Sequence, residues 1–198
     1  MKISILLPYK ENYSENYAGA VSLFVFDTYK VSKFKKDIKI FGNTEYSSLL
    51  SNNYVNIKMF EKSLFDSHTK YYVNRFIKLQ KKFKSDIIEI HNRPNYLKLI
   101  KDLDSKIVLY FHNDPLEMDG SKSLNERMYL LSHCDKIIFN SNWSKNRFIY
   151  KMENFYSCSS KLEVINQCTS KKKIKLSKKK KIITFVGKLN RAKGYDLF

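Results

Sequence analysis

The sequence predicts an α/β chain, a doubly wound parallel sheet followed by the opening of a truncated second α/β domain. Short runs rich in Ile, Val, Leu and Phe recur along it, stretches of helical periodicity separate them, and a lysine-rich run precedes one more strand and a glycine turn. Short apolar runs suit strands covered on both faces, and their alternation with helices suits parallel crossover connections.

Strands are expected at Lys2–Pro8, Asp37–Phe41, Asn56–Phe60, Asp86–His91, Lys106–His112, Lys136–Asn140 and Lys161–Ile165. Between them, an apolar helical run starts at Val21 behind Gly19. Tyr72, Phe76, Leu79 and Phe83 recur at helical spacing, as do Leu124, Met128 and Leu131, and Trp143–Met152 is a shorter helix. Residues 1–170 then form the first domain, 171–181 a linker, and 182–198 the first strand and turn of the second, with the strand at Lys181–Val186. Charge composition alone marks that boundary.

A chain of 198 residues can hide roughly 70% of its unfolded surface, enough for one good core. Thirty-seven Lys and Arg against nineteen Asp and Glu give a net charge of +18, which suggests an anionic partner. Eight of the lysines, however, fall between Lys171 and Lys181, and a run of like charge is usually solvated linker. The chain is also rich in Lys, Asn, Ile, Tyr and Phe, the residues of AT-rich codons. Linker and composition therefore outweigh a basic module for RNA or DNA, which stays as the alternative. Lys33, Lys35, Lys36, Lys81 and Lys82 offer a surface for anionic lipid. Cys134, Cys158 and Cys168 are odd in number without C-x-x-C spacing and read as reduced thiols. The apolar stretch before Pro8 is too short for a secretory signal, and no run of about eighteen apolar residues occurs. The expected location is the cytoplasm, with peripheral contact at the inner face of the membrane.

Parallel sheets bind ligands at the carboxyl ends of their strands, where loops and helix N-termini converge. Those ends read Tyr9-Lys10, His91-Asn92-Arg93, His112-Asn113-Asp114 and Asn140-Ser141-Asn142, all polar. Gly19 stands before the first helix, where a phosphate or sugar can approach bare backbone, or where a turn simply needs glycine. A neutral His112 can donate one hydrogen bond and accept another. His91 and Arg93 would line the cleft or orient their loop, and Ser141 would cap the following helix. In GKLNRAKG, Lys188 and Lys193 flank a new helix N-terminus, a setting that attracts phosphate. Histidines and cysteines lack ligand spacing, so no metal is expected.

The segment VGKLNRAKG resembles the VGRLxxxKG turn of the GT-B retaining glycosyltransferases of family 4. Further segments follow in that family's order: ILLPY, AGAVSLF, IIEIHNRP, IVLYFHNDP, CDKIIFNSNWSKNRF and KLEVIN. The resemblance covers essentially the whole chain and rests on order and spacing. It implies the N-terminal, acceptor-side, Rossmann-like half of a GT-B fold and the start of its donor domain. The implied reaction is hexosyl transfer from a nucleotide-sugar to a glycan or lipid-linked acceptor, without a cofactor. His112 would be the catalytic residue near the transferred sugar. Gly19, Lys188 and Lys193 would hold the donor phosphates, and His91, Arg93 and Ser141 would face the acceptor cleft. Three places depart from the family. Ala18-Gly19-Ala20 carries one glycine where related enzymes often carry two, Lys188 replaces an arginine fork with a point charge, and Gln167-Cys168-Thr169 stands where glycine and aspartate are common.

Overall fold

The computed structural model describes residues 1–59, 67–153, 159–167, 181–185, 191 and 194–197. Its centre is a seven-stranded sheet in the order β3-β2-β1-β4-β5-β6-β7, every pair parallel. The strands are β1 Ile3–Leu6, β2 Ile38–Gly42, β3 Tyr54–Asn56, β4 Ile87–His91, β5 Lys106–Phe111, β6 Lys136–Phe139 and β7 Leu162–Val164. The helices are α1 Ala20–Val31, α2 His68–Phe83, α3 Leu97–Ile100, α4 Leu124–His133 and α5 Asn142–Ile149. The expected α/β doubly wound, Rossmann-like sheet is the one observed.

Topology decides which helix covers which face. From β1 the chain moves outward through α1 to β2 and β3, then returns through α2 to β4 on the other side of β1 and continues to β7. Right-handed crossovers in opposite directions put α1 on one face and the later helices on the other. Two apolar clusters reflect this. One joins Ile5, Leu7, Ile38 and Ile40 to Val21 and Val25 of α1. The larger joins Leu6, Phe41, Ile88, Ile90, Leu109 and Phe111 to Tyr72, Phe76, Leu97, Leu130 and Phe148. Each fully buried ring such as Phe41 or Phe76, in edge contact at 5.2 Å, contributes roughly 1.5–3 kcal/mol through its burial.

Three expectations need correction. The third strand is Tyr54–Asn56 rather than Asn56–Phe60. Asn56 ends it because its side chain bonds both the N–H and the carbonyl of Thr44, which anchors the turn instead of extending the ladder; Phe60 lies outside the described residues. On α4 the expected stripe is out of phase. Leu124 and Met128 are exposed, whereas Leu130, Leu131 and Arg127 are buried. Arg127 is tolerated inside because it donates to the carbonyls of Ser121, Lys122 and Tyr150. Of the expected strand Lys181–Val186, residues 181–185 are not in a strand and Ile182 and Ile183 are exposed, while Val186 lies outside the described residues. The seven-stranded sheet does not include this segment, and a strand depends on its ladder for stability.

Cys134 is a buried free thiol whose burial pushes its pKa up to about 12, so it stays a neutral thiol; Cys158 and Cys168 lie outside the described residues. No described helix is long and apolar enough to cross a membrane.

Candidate functional site

All seven strands being parallel, their carboxyl ends share one edge, and the order reverses between β1 and β4. That switch point opens a crevice in which flanking loops splay apart. His112, one residue past β5, is the hub there. Its N–H donates to Asn92 Oδ1 at 2.7 Å, and its carbonyl accepts from Asn140 Nδ2 at 2.8 Å. The ends of β4 and β6 thus hold the histidine's backbone from both sides.

Asn92 manages its part through an unusual backbone. At φ 52° it occupies the left-handed region, which asparagine tolerates better than most residues, and its N–H still reaches Tyr110 O at 2.9 Å. The chain therefore turns sharply after β4 and delivers Arg93 to the rim, where Nη1 donates to Asn92 O at 2.7 Å.

The ring of His112 lies between aromatic walls. Tyr110 stacks on it at 4.6 Å, and Phe24 of α1 meets it edge-on at 4.9 Å. Its Nε2 is 2.8 Å from Nδ1 of His91, and its Nδ1 is 2.7 Å from Nε2 of Gln167. Burial, with a smaller effect from His91, lowers the imidazole pKa to about 3, so His112 is neutral throughout the physiological range. His91 is fully buried. It stands behind His112, so any influence on the crevice passes through that ring.

Gly19 is the N-cap of α1, but no bare backbone awaits an anion there. The Glu11 carboxylate lies over it, accepting from Ser22 N at 3.1 Å, and a Cβ on Gly19 would stand 2.0 Å from Glu11 Oε1. The protein's own carboxylate thus occupies the positive end of the helix. Gly19 and His112 share this edge, since Phe24, in the second turn of the helix that Gly19 opens, rests on the histidine ring. Ser141 performs the expected cap of α5, accepting from Ser144 N at 3.2 Å, and its hydroxyl also pairs with Ser144 Oγ at 2.8 Å. Trp143 is 59% exposed, with its ring 5.7 Å from the Arg147 guanidinium. Arg147 also pairs with Asp114 at 2.8 Å; burial raises the Asp114 pKa, but this pairing and the hydrogen bond from Leu116 N–H together offset it, and the carboxyl ends below its usual range. Lys188 and Lys193 lie outside the described residues.

A polar recess of about 500 Å³ opens beside the hub, lined in part by Asn92, Arg93, Asn95, Asn113, Asp119 and Lys122. Asn95 Oδ1 is buried without a hydrogen-bond partner among the described residues, a condition that costs about 1–3 kcal/mol unless a bound group relieves it. A second recess, about 330 Å³, lies at the β3–α2 edge between Asn56, Ile57, Lys58 and Lys82. It shares no residue with the convergence around His112, so the chemistry is assigned to the first.

Sequence reading missed Glu11 and Glu89, and it named Asn92, Asn140 and Gln167 without giving them a role at His112. Glu89 carried a signal, as a lone acid within the apolar strand IIEIH. Gln167 carried none beyond its departure from the family pattern. Among the described residues no group of three or more His, Cys, Asp or Glu is placed to hold a metal ion.

No protein-family model matches this chain, and no curated protein matches it. Solved structures do. Anabaena Alr3699/HepE in complex with UDP-glucose is 13% identical, with TM-score 0.57, over 84% of this chain and 44% of that one. A glycosyltransferase from Rickettsia africae is 16% identical, with TM-score 0.54, over 83% and 42%. UDP-GlcNAc 2-epimerase from Neisseria meningitidis, bound to UDP-GlcNAc, is 12% identical, with TM-score 0.52, over 83% and 46%. The chain thus spans less than half the length of each. At such identities the likeness carries the fold, a Rossmann-like lobe of the GT-B kind. The nucleic-acid alternative gains no support from these likenesses.

Proposed function

We infer that this chain is the acceptor-side lobe of a glycosyltransferase, one that moves a hexosyl group from a nucleotide-sugar to a hydroxyl of a glycan or lipid-linked acceptor. The observation that carries the reading is the convergence of three strand ends on the neutral His112, beside a recess rich in amides and charges with an unpartnered Asn95 carbonyl. Carbohydrates present dense arrays of hydroxyls, and asparagine, arginine and carboxylate groups match them with paired donors and acceptors. The similar solved structures, which include a UDP-glucose complex, a UDP-GlcNAc complex and a glycosyltransferase, point the same way.

In this reading His112 holds a sugar hydroxyl near the bond being broken, and Arg93 orients the acceptor at the rim. Family 4 membership, retention of configuration and metal-free chemistry are parts of the same proposal, resting on the VGKLNRAKG resemblance. There Lys188 and Lys193 would balance the negative charge that grows on the departing diphosphate. Gly19 would contact that phosphate only after Glu11 moves aside.

Titration of the 198-residue chain with a panel of soluble oligosaccharides tests the reading. At least one glycan is expected to bind saturably and to be weakened on the order of tenfold by Arg93→Ala, about the loss of one charged hydrogen bond. Failure of every glycan to bind, or binding unchanged by that substitution, would overturn it.

A further inference from the structure

Glu89 and His91 are adjacent because β4 puts residues two apart on one face. The register pairs His91 with Tyr110 on β5, and His112 follows two residues later on that same face. Four side chains therefore form a line: Glu89 Oε1 is 2.6 Å from His91 Nε2, His91 Nδ1 is 2.8 Å from His112 Nε2, and His112 Nδ1 is 2.7 Å from Gln167 Nε2. The first contact is close but poorly aligned, and Nε2 of His91 has no better-aligned acceptor among the described residues.

Proton placement along this line follows from its acidic end. A carboxylate accepts only, so the His91 nitrogen facing it carries the hydrogen. With a single hydrogen on His91, its Nδ1 is then an acceptor and receives the Nε2 hydrogen of His112. Neutral His112 is left with a lone pair on Nδ1, which the Gln167 amide fills by donating. The reverse order would set a lone pair of His91 against the Glu89 carboxylate.

We propose that Glu89 and His91 are positioning residues that fix His112 as the Nε2–H tautomer, so that its Nδ1 faces the crevice as an acceptor and takes a ligand hydroxyl in the place now held by the Gln167 amide. The idea rests on the reading of His112 as a crevice residue, and it adds a direction. This site selects a hydrogen-bond donor on the sugar rather than a carbonyl or an anion. His112 being half-buried and neutral, the preference is not inverted by protonation at ordinary pH.

Long-range ¹H–¹⁵N correlation spectra of the histidine-labelled chain at neutral pH read the tautomers directly, with His68 and His133 assigned by substitution. His91 and His112 are both expected as Nε2–H in the wild type and in Glu89→Gln, which keeps an acceptor. Glu89→Leu is expected to move both toward Nδ1–H or a mixture. Gln167→Leu is expected to leave the tautomers unchanged, because they are set from the other end, and it keeps the proposal testable should Glu89→Leu fail to fold. An Nδ1–H form of His112 in the wild type, or a change of tautomer in Gln167→Leu, would overturn it. These spectra need no ligand, so a chain with the expected tautomers that bound no glycan would refute the proposed function and leave this inference standing.

Discussion

His112 gathers the most consequential interactions of any side chain at this edge. A half-buried imidazole that stays neutral has a defined effect on stability. Its folded pKa of about 3 lies below the ordinary 6.5. Between those values the unfolded chain binds the extra proton and the folded chain does not, so this contribution is intact above the unfolded pKa and is lost as pH falls below it. The groups facing the ring are His91, Tyr110, Phe24, Asn92 and Gln167, with Glu89 one contact further. Urea unfolding at pH 7.5, 6 and 5 should show His112→Gln with a shallower loss of stability than wild type, by up to about 1.4 kcal/mol per pH unit. Parallel pH profiles for the two proteins would show that the ring is charged when folded.

The start of α1 shows how glycine and a carboxylate share one place. Gly19 has an extended backbone with φ −76°, open to any residue, so the demand for glycine comes from Glu11 lying where a Cβ would be. Gly19→Ala should therefore displace the Glu11 cap and lower stability by about 1 kcal/mol. In a Glu11→Ala background the same change should cost little, because the obstruction has gone. Equal costs in both backgrounds, measured by thermal or urea unfolding, would show that the two residues are independent. What was legible at this scale was the strand pattern and the cap at Ser141. Strand-like runs such as IVLYF at residues 107–111 declare themselves because they are covered on both sides and read as continuous apolar segments. The α4 face was not legible: Leu124 and Met128 continue a plausible stripe, and only tertiary partners for Arg127 reveal that a charged residue is the one turned inward.

For the molecule as a whole, strand order matters more than any motif. Reversal between β1 and β4 brings loops from both halves of the sheet to one rim, and parallel direction puts β4, β5, β6 and β7 ends on that rim together. Local sequence could name His112 and Arg93 because each closes a recognisable strand. It could not name Gln167, fifty-five residues away from His112 in the chain, since only sheet assembly brings the two into contact. The sites expected at Lys188 and Lys193 lie outside the described residues and belong to the functional proposal alone. The most direct measurement is a map of amide chemical-shift changes on the ¹⁵N-labelled chain as a bound oligosaccharide from the panel is titrated in. The expected footprint comprises Asn92, Arg93, Asn95, His112, Asn113 and Gln167. Changes confined to the Asn56–Lys58 and Lys78–Lys82 edge would contradict a sugar site at the carboxyl ends of the strands.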